Sequence, residues 1–457
     1  MGARRRLFKS FGLRPKDEPT ALPPYPRFVS SLGWLSISPS GLHVYPLAVT
    51  ASGLVYVVWE ITLRCDLACG HCGSRAGKPR ADELTTAEAL DLVRQIAEMG
   101  AHEVTLIGGE AYLRDDWTQI ARAVRDAGML CTMTTGGRGL TPERAKAALD
   151  AGVQSVSVSI DGIGPTHDMQ RGVTGSFDAA RIALGNLARA GLEVSVNSQI
   201  NRLSYPELGN ILGLIVEEGG HSWQIQFTVP MGRAADRPEW LMQPYDLLHV
   251  IPRIAELAEE ANRHNVRLWT GNNVGYFGPH ETELRKWTYG ENAHATSCGA
   301  GRATLGIEAD GAIKGCPSLT TKDWTGGYIR HMSLRQIWDT TKELRYTRDR
   351  TVEDLWGFCR TCYYADVCRA GCTWTSHVFF GRAGNNPYCH HRALEHQSRG
   401  LRERLVQIQK PPGEAFDHGV FDIVVEKYRD EDVARLSVEK PSRHKRLPLA
   451  DIPSNTE

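Results

Sequence analysis

Short apolar runs alternate with amphipathic segments between residues 55 and 230 of the chain. The β-rich runs predict strands at 55–61, 103–107, 129–134, 154–160, 192–198 and 223–229. Apolar positions between the runs recur with the spacing of helices, and Thr85 with Glu88 forms a capping box before the first helix. Because strands that alternate with helices favour parallel pairing through right-handed crossovers, the pattern predicts an α/β fold with a parallel sheet curled into a partial (β/α)6 barrel.

The barrel pattern occupies residues 55–285, and a long amphipathic helix at 244–264 is predicted to close it. Residues 1–54 precede it as an extension rich in Pro, Ser and Gly, with one hairpin predicted near 33–57. Parallel barrels carry their chemistry at the carboxyl ends of the strands. The loops that follow the predicted strands are therefore where functional residues are expected.

The remainder of the chain differs from the barrel in composition. Residues 286–400 are rich in Cys, Gly and aromatic residues and show little helical periodicity, which predicts a small loop-rich domain held together by metal centres. Residues 401–457 are polar, with a basic run from Lys440 to Arg446, and are predicted to form a flexible tail.

The charge balance gives little information about partners. The 457 residues include 53 Lys plus Arg and 53 Asp plus Glu, so no electrostatic argument favours a nucleic acid or an anionic membrane as the main partner. The sequence has no apolar stretch of transmembrane length, and the basic N-terminus lacks the apolar segment of a secretory signal. We therefore expect a cytoplasmic protein.

Eleven cysteines change this picture. An odd number does not suit a disulfide framework, and their clustering predicts two metal-binding regions in a reducing compartment. Cys131 stands alone within a predicted strand and is expected to be a core thiol. The others fall into an early group and a late group, at Cys65, Cys69, Cys72, Cys298, Cys316, Cys359, Cys362, Cys368, Cys372 and Cys389.

The early group reads Cys65-x3-Cys69-x2-Cys72 and follows the first predicted strand. Three thiolates on one short loop can hold three irons of a [4Fe–4S] cluster and leave the fourth open to a small molecule. The alternative is a zinc knuckle with His71 as the fourth ligand. Two further groups, Gly108-Gly109-Glu110 and Ser159 with Asp161, also lie at strand ends, so all three point at one mouth of the barrel.

Together these motifs resemble the radical S-adenosylmethionine (SAM) superfamily, whose barrel is TIM-like. The resemblance implies that Cys65, Cys69 and Cys72 hold a SAM-binding cluster. Gly108-Gly109-Glu110 resembles the "GGE" motif that holds the methionyl amino group, and Thr135-Gly136-Gly137 resembles a "TNG" turn. The segment from Ser159 and Asp161 to Arg171 resembles the one that reaches the SAM ribose and carboxylate. The SAM contacts implied in this way are Gly108, Gly109, Glu110, Ser159, Asp161 and Arg171.

The late cysteines resemble the SPASM domain, which carries two auxiliary [4Fe–4S] clusters. The resemblance assigns Cys298, Cys316 and Cys372 to one auxiliary cluster. It assigns the remaining four, Cys359, Cys362, Cys368 and Cys389, to the other. Since the first set has three cysteines, we expect its cluster to be open at one iron or completed by a ligand other than cysteine.

A radical SAM protein with a SPASM domain implies an oxidoreductase. Cleavage of SAM would give a 5′-deoxyadenosyl radical that takes hydrogen from the substrate, and the auxiliary clusters would accept an electron or orient the substrate. SPASM proteins most often resemble peptide maturases, so we expect oxidative crosslinking of a ribosomally made precursor peptide. A separate peptide-recognition protein and an electron donor such as flavodoxin or ferredoxin are the other expected partners.

Two other function classes stay open. One is a radical SAM dehydrogenase or decarboxylase of a small molecule, such as a sugar nucleotide or a tetrapyrrole. The other is an iron–sulfur or zinc protein without enzymatic activity, which would produce no 5′-deoxyadenosine from SAM. The sequence names neither the substrate nor the bond that is formed.

Overall fold

A computed structural model describes residues 35–38, 41–44, 53–290 and 293–428. The chain divides into two compact units, residues 1–53 and 54–457. In the first unit, Leu35–Ser38 (β1) pairs antiparallel with Gly41–Val44 (β2), within the range where the sequence predicts a hairpin. The second unit contains everything that follows.

The second unit combines one large sheet with many helices. Its strands are β3 (Tyr56–Glu60), β4 (Glu103–Ile107), β5 (Leu130–Thr135), β6 (Val153–Ser159), β7 (Glu193–Ile200), β8 (Ser222–Phe227), β9 (Arg267–Thr270), β10 (Thr304–Ile307), β11 (Ala312–Lys314), β12 (Gly327–Tyr328), β13 (Leu401–Gln409) and β14 (Val420–Lys427). Its helices are α1 (Thr86–Glu98), α2 (Trp117–Asp126), α3 (Pro142–Asp150), α4 (Pro165–Arg171), α5 (Ser176–Ala190), α6 (Leu208–Glu217), α7 (Leu247–Arg263), α8 (Glu281–Tyr289), α9 (Thr321–Trp324), α10 (Leu334–Thr340), α11 (Lys342–Asp349), α12 (Gly357–Arg360), α13 (Ala365–Cys368), α14 (Thr373–Phe380) and α15 (His390–Gln397).

The large sheet is an open, mostly parallel barrel. Its strand order is β12-β11-β10-β3-β4-β5-β6-β7-β8-β9, and every neighbouring pair from β3 to β9 is parallel. The two end strands do not pair with each other, so the barrel is partial. The six predicted strands are confirmed, each within two residues at either end. The α/β partial-barrel prediction is therefore correct.

The N-terminal cap that the sequence predicts for the first barrel helix is present in the structure. Thr85 accepts the N–H of Glu88 while the Glu88 carboxylate accepts the N–H of Thr85, so the predicted capping box is present at α1. Apolar side chains from the helices and both faces of the parallel strands form one continuous core. Cys131 is fully buried in that core, which confirms it as a core thiol.

The iron–sulfur region joins the barrel sheet more closely than expected. Strand β10, from residues 304–307, pairs parallel with β3, and the β10–β11 hairpin continues the sheet beyond it. An edge strand exposes unpaired backbone groups, so pairing with the short apolar strand β10 satisfies the free edge of β3. After β11 this region is built mainly from short helices of four to eight residues, from α9 to α15.

The prediction of a flexible tail is wrong for residues 401–428. Strands β13 and β14 form an antiparallel hairpin that buries Leu405 and Phe421. The segment looks polar in sequence because its charged residues are paired within the fold. The buried Glu403, for example, contacts Arg392 at 2.6 Å. The basic run from Lys440 to Arg446 lies outside the described residues.

Within the described ranges, no helix is both long and apolar enough to cross a membrane. The longest, α7, spans 17 residues and buries only one apolar face. It confirms the predicted helix at 244–264, although its first three residues form a separate 3₁₀ turn.

Candidate functional site

The first cysteine loop, residues 65–77, follows β3 at the carboxyl edge of the sheet. The N–H of Cys65 donates to the carbonyl of Gly77 at 3.0 Å, which closes the loop at its base. Burial raises the pKa of the Cys65 thiol to about 12, and the charges of Glu110 and of the other two loop cysteines act in the same direction. Buried thiols that oppose one another's ionisation are stabilised by a metal centre, because the cation favours all the thiolates together.

The two glycines after β4 allow the chain to approach this loop closely. A Cβ atom at Gly109 would lie 2.2 Å from the carbonyl oxygen of Arg64, and one at Gly108 would lie 2.5 Å from that of Thr62. The N–H of Glu110 donates to the Arg64 carbonyl at 2.8 Å. Only glycine permits this contact, so the motif positions Glu110 directly beside the first cysteine.

The Glu110 carboxylate is buried, and its hydrogen-bond donors are uncharged. It accepts from the hydroxyl of Thr135 and from the N–H of Gly136, both at 2.6 Å. Burial raises its pKa to about 7 in spite of these two hydrogen bonds. One oxygen also lies within 4.8 Å of the Cys65 sulfur. A buried carboxylate of this kind favours a cationic ligand.

Asp161, His71 and Arg171 form a buried ion-pair group behind the loop. The Asp161 carboxylate is fully buried and lies 2.6 Å from Arg171 Nη2 and 3.0 Å from His71 Nε2. Burial acts to raise the pKa of Asp161, but Arg171 and then His71 hold it below its ordinary value. Arg171 Nη1 lies 3.7 Å from the sulfur of Cys69. The group therefore connects the end of β6 to the cysteine loop.

The six predicted SAM contacts thus fall into two kinds of environment. Gly108, Gly109 and Glu110 border the cysteine loop directly. Ser159 donates its hydroxyl to Asn197 at 3.0 Å, and Asp161 is committed to Arg171 and His71. Direct contact of all six residues with SAM stays a prediction, while the contacts of Asp161 and Arg171 with His71 and Cys69 of the loop are visible in the structure.

Sequence reasoning missed Gly232 and Arg233, which follow β8 and hold the loop from the opposite side. Arg233 Nε donates to the Cys69 carbonyl at 2.6 Å, and its backbone N–H donates to that of Cys72 at 3.0 Å. Gly232 has a φ of 57°, and a Cβ there would lie 2.3 Å from the Cys72 carbonyl. Their position just after the sixth predicted strand was the available signal.

Four late cysteines line one cavity with an empty volume of about 360 Å³. They are the four that the resemblance assigns to one auxiliary cluster, namely Cys359, Cys362, Cys368 and Cys389. Aromatic side chains, including those of Tyr276 and Phe277, form much of the remaining wall. Burial and the neighbouring thiols raise the pKa of Cys389 well above its ordinary value, which again favours metal ligation.

The other three late cysteines also come together. Cys298 and Cys316 share a small apolar cluster with Trp324, and the charges of both thiolates act on Cys372. Burial raises the pKa of Cys372 to about 12, and Cys298 adds to the increase. All eleven cysteines of the chain are free thiols, and none is left for a fourth position in this group.

Three consecutive residues with a left-handed backbone conformation lie between a cysteine of one late set and a cysteine of the other. Between Cys368 and Cys372, the residues Arg369, Ala370 and Gly371 have φ angles of 46°, 60° and 53°. This turn directs two cysteines that are four positions apart into different groups. Such conformations are costly outside glycine and persist where the surrounding structure requires them.

Tyr276 lies between the two late groups. Its φ is 78°, its ring lines the four-cysteine cavity, and its hydroxyl accepts the N–H of Cys372 at 3.0 Å while donating to the Asn272 carbonyl. A Cβ at Gly371 would lie 2.2 Å from its ring. The tyrosine therefore contacts the backbone of one cysteine set and the cavity of the other.

The residues present fit three iron–sulfur clusters and one SAM molecule. Near the first cysteine loop, the buried atoms His71 Nδ1 and Arg171 Nε have no hydrogen-bond partner in the described structure. When bound to the first cluster, SAM supplies a carbon radical that can remove a hydrogen atom from an unactivated C–H bond. With SAM bound, Glu110 would hold its ammonium group, and the residues on both sides of the cysteine loop would fix the loop and exclude water.

Glu110→Gln is expected to weaken SAM binding by roughly 10- to 100-fold at pH 8, the typical value of a charge-assisted hydrogen bond. Since the raised pKa of Glu110 is about 7, the wild-type carboxyl gains a proton below that pH. Wild-type affinity should therefore fall as pH decreases from 8 to 6, whereas the variant should lack this dependence. Equilibrium dialysis with labelled SAM measures both effects.

Glu103→Gln, at the other end of β4, is the matched control because it also neutralises a partly buried carboxyl, whose pKa is likewise raised by burial. Equal weakening by the two substitutions would contradict a specific role for Glu110.

Tyr276→Phe is expected to shift the midpoint potential of an auxiliary cluster by tens of millivolts (roughly 20–80 mV), because hydrogen bonds near the cluster sulfurs tune that potential. The variant leaves the Cys372 N–H without its acceptor. Redox titration followed by electron paramagnetic resonance measures the change. Tyr388→Phe removes another buried hydroxyl, which donates to Met242, and should leave the potentials unchanged. A shift in both variants would show a general packing effect.

Comparison with known proteins agrees with this geometry. Residues 59–201 match the Radical SAM superfamily, and residues 298–363 match an iron–sulfur cluster-binding domain named SPASM. The AdoMet-dependent heme synthase of Methanosarcina barkeri is 31% identical over 346 residues, which cover 74% of this chain and 96% of that protein. The mycofactocin maturase MftC of Mycobacterium tuberculosis is 28% identical over 321 residues, covering 70% of this chain and 78% of that one.

Solved structures show the same fold. Streptococcus suis SuiB bound to S-adenosylmethionine superposes with a TM-score of 0.57 at 15% sequence identity, over 74% of this chain and 76% of that chain. A likeness at this identity supports the architecture alone. Together with the extensive match to the heme synthase, these findings show that the chain belongs to the radical SAM superfamily, in the branch that carries a SPASM domain.

Proposed function

We propose that this radical SAM enzyme oxidatively modifies a ribosomally made precursor peptide. The observation that carries the proposal is the β13–β14 hairpin beside the first cysteine loop. The loop joining its strands contacts the cysteine loop twice, from the Phe416 N–H to the Gly73 carbonyl at 3.0 Å and from Asp417 to Arg75 at 2.9 Å. A peptide held on this hairpin would reach the barrel mouth.

The hairpin offers the features that an extended peptide needs. In the described part of the chain, β14 pairs only with β13, so one of its edges has no strand partner. Val425 and Ile408 expose 52% and 64% of their surfaces on this hairpin. An extended peptide can add to such an edge through backbone hydrogen bonds, with apolar contacts providing selectivity.

Similarity to MftC supports a peptide substrate, since that relative is named a maturase. The match to the heme synthase leaves 26% of this chain outside it while covering 96% of that protein. The additional residues are available for substrate recognition. A reductant such as flavodoxin or ferredoxin and a separate peptide-recognition protein complete the proposed partners.

Co-expression with a short peptide encoded beside this gene tests the proposal. We expect the peptide to lose two hydrogen atoms for each crosslink, as measured by mass spectrometry. Val425→Lys should reduce modification by roughly tenfold, through loss of about 1.4 kcal/mol of apolar contact. Deoxyadenosine formation without peptide should not change.

Ile182→Lys is the matched control, because Ile182 is 62% exposed on helix α5 in the barrel. An unmodified peptide in the presence of active enzyme, with wild-type and variant alike, would contradict the proposal.

A tetrapyrrole is the second candidate, and the 31% identity to the heme synthase favours it. On this alternative the enzyme would oxidatively decarboxylate a tetrapyrrole that carries carboxylate side chains. Incubation of the reduced enzyme with SAM and a carboxylate-bearing porphyrin distinguishes the two candidates, since only this one predicts loss of CO₂ from the porphyrin together with deoxyadenosine.

A further inference from the structure

Two imidazoles and one carboxylate, none of which is a predicted cluster ligand, converge where the hairpin loop meets the iron–sulfur domain. Asp323 lies on α9, His377 on α14 and His418 in the loop between β13 and β14. One ligand atom from each lies within 4.8 Å of the other two. The Asp323 carboxylate is 40% exposed, whereas the imidazoles of His377 and His418 are 6% and 16% exposed.

A hydrogen bond made by the His418 ring indicates which of its two nitrogens faces Asp323 and His377. Its Nδ1 lies 2.5 Å from the carbonyl oxygen of Gly419, and because a carbonyl accepts, this nitrogen carries the hydrogen. The other ring nitrogen, Nε2, is therefore the one that faces the carboxylate, and it lies 3.8 Å from Asp323 Oδ2. This distance is too long for a hydrogen bond, and it places the two atoms so that one cation between them could bind both.

The remaining contacts have the geometry of a metal site. His377 Nε2 lies 3.0 Å from the same carboxylate oxygen, and the two imidazole rings have centroids 5.1 Å apart. Tetrahedral ligands at 2.0–2.1 Å from an ion lie roughly 3.3 Å from one another, between the two distances observed here. The hydroxyl of Thr320 contacts both Asp323 Oδ2 and His377 Nε2, at 3.0 and 3.2 Å, and so orients two of the three ligands.

We propose that Asp323, His377 and His418 bind one divalent transition-metal ion, with Zn²⁺ as the expected occupant. Two neutral imidazoles and one carboxylate suit this class of ion, and the exposed side of Asp323 leaves a position for water. A hydrogen bond from the ring to a backbone carbonyl, as at His418, is the usual support for a metal-binding histidine.

The position of the ion implies a structural role near the active site. His377 lies on the helix that begins directly after Cys372, while His418 belongs to the loop that contacts Gly73 and Arg75. One ion at this point would fasten the hairpin loop to the iron–sulfur domain and so keep it against the first cysteine loop. The same three groups without an ion would form only a hydrogen-bonded network.

Zinc content tests the site in the full chain. The iron–sulfur clusters are reconstituted first, under anaerobic conditions, so that the cysteines are occupied before ZnCl₂ is added. After passage over a chelating resin we expect about one zinc per chain in the wild type, and at least roughly fivefold less in His418→Ala and Asp323→Asn. His264→Ala, an exposed histidine at the end of α7, is the control and should retain zinc.

X-ray absorption at the zinc edge identifies the ligands. The proposal predicts nitrogen and oxygen neighbours at about 2.0–2.1 Å and no sulfur shell near 2.3 Å. Iron content and circular dichroism establish that each variant is folded and loaded. A sulfur shell, or equal zinc in wild type and His418→Ala, would overturn the metal site and leave adventitious zinc as the explanation.

Hydrogen exchange tests the proposed role of the ion. Residues 410–419 should exchange several-fold more slowly when zinc is present in the wild type, and at the same rate with or without zinc in His418→Ala. Unchanged exchange in the zinc-loaded wild type would overturn the fastening role. These measurements do not depend on which substrate the enzyme modifies.

Discussion

Replacing Cys65, Cys69 and Cys72 together by alanine should abolish deoxyadenosine formation, lowering its rate by at least about a thousandfold. The reason is that these three thiols, on one loop beside Glu110, are the set that leaves an iron free for SAM. Both late cysteine groups lie in another part of the structure and should stay loaded. Iron should therefore fall from about 12 to about 8 atoms per chain.

Cys131→Ala provides the control, because it removes a buried thiol that is remote from every predicted cluster. This variant should keep its iron and its activity, with only the modest loss of stability that a small cavity causes. The assay is anaerobic reduction with dithionite in the presence of SAM, with deoxyadenosine measured by chromatography. Deoxyadenosine formed by the triple variant at the wild-type rate would refute the assignment.

Much of the site could be predicted because parallel strands run in one direction. Once six strands are recognised, their carboxyl ends must share one edge, so Cys65, Glu110 and Asp161 converge although almost a hundred residues separate the first from the last. The spacing of the cysteines then indicates that the bound group is a [4Fe–4S] cluster. Motifs of this kind can be recognised in the sequence because all residues of each motif lie together at the end of one strand.

The parts that the sequence did not predict depend on contacts between distant segments. In the sequence, residues 401–428 resemble a flexible tail because the charged residues are evident, whereas the oppositely charged residues that pair with them cannot be identified. Arg402 pairs with Glu426 across the hairpin at 2.6 Å, and Arg392 reaches back to Glu403. Likewise, the position of Gly232 just after the sixth strand places it at the same edge of the sheet, but no local pattern shows that its backbone will meet Cys72. Pairing over such distances is set by the finished fold.

The resemblance implies the separation of the late cysteines into two sets, but the local spacing does not. Cys368 and Cys372 are one helical turn apart in sequence, which by itself would favour a shared site. The left-handed residues between them send each to a different group. Two of those three residues are not glycine, so their conformation is imposed by surrounding contacts and has no signal of its own in the sequence.

Arg171→Met should destabilise the folded enzyme by about 3–5 kcal/mol at neutral pH, the usual cost of removing one partner from a buried ion pair. Asp161 is fully buried, and its guanidinium partner lies 2.6 Å away. A carboxyl whose pKa is depressed in the fold contributes stability above its unfolded pKa, and Arg171 is the main source of that depression. Methionine retains most of the side-chain volume, so the loss reflects charge.

Because Arg171 also lies against the sulfur of Cys69, the first cluster should be lost more readily than the auxiliary ones. Thermal unfolding and iron content after gel filtration measure the two effects. The double variant Asp161→Asn/Arg171→Met removes both charges and should recover much of the stability, since no unpaired ion then stays buried. It should not recover the contact with Cys69. A single variant as stable as the wild type would mean that water reaches Asp161 and that the ion pair is not what holds the loop.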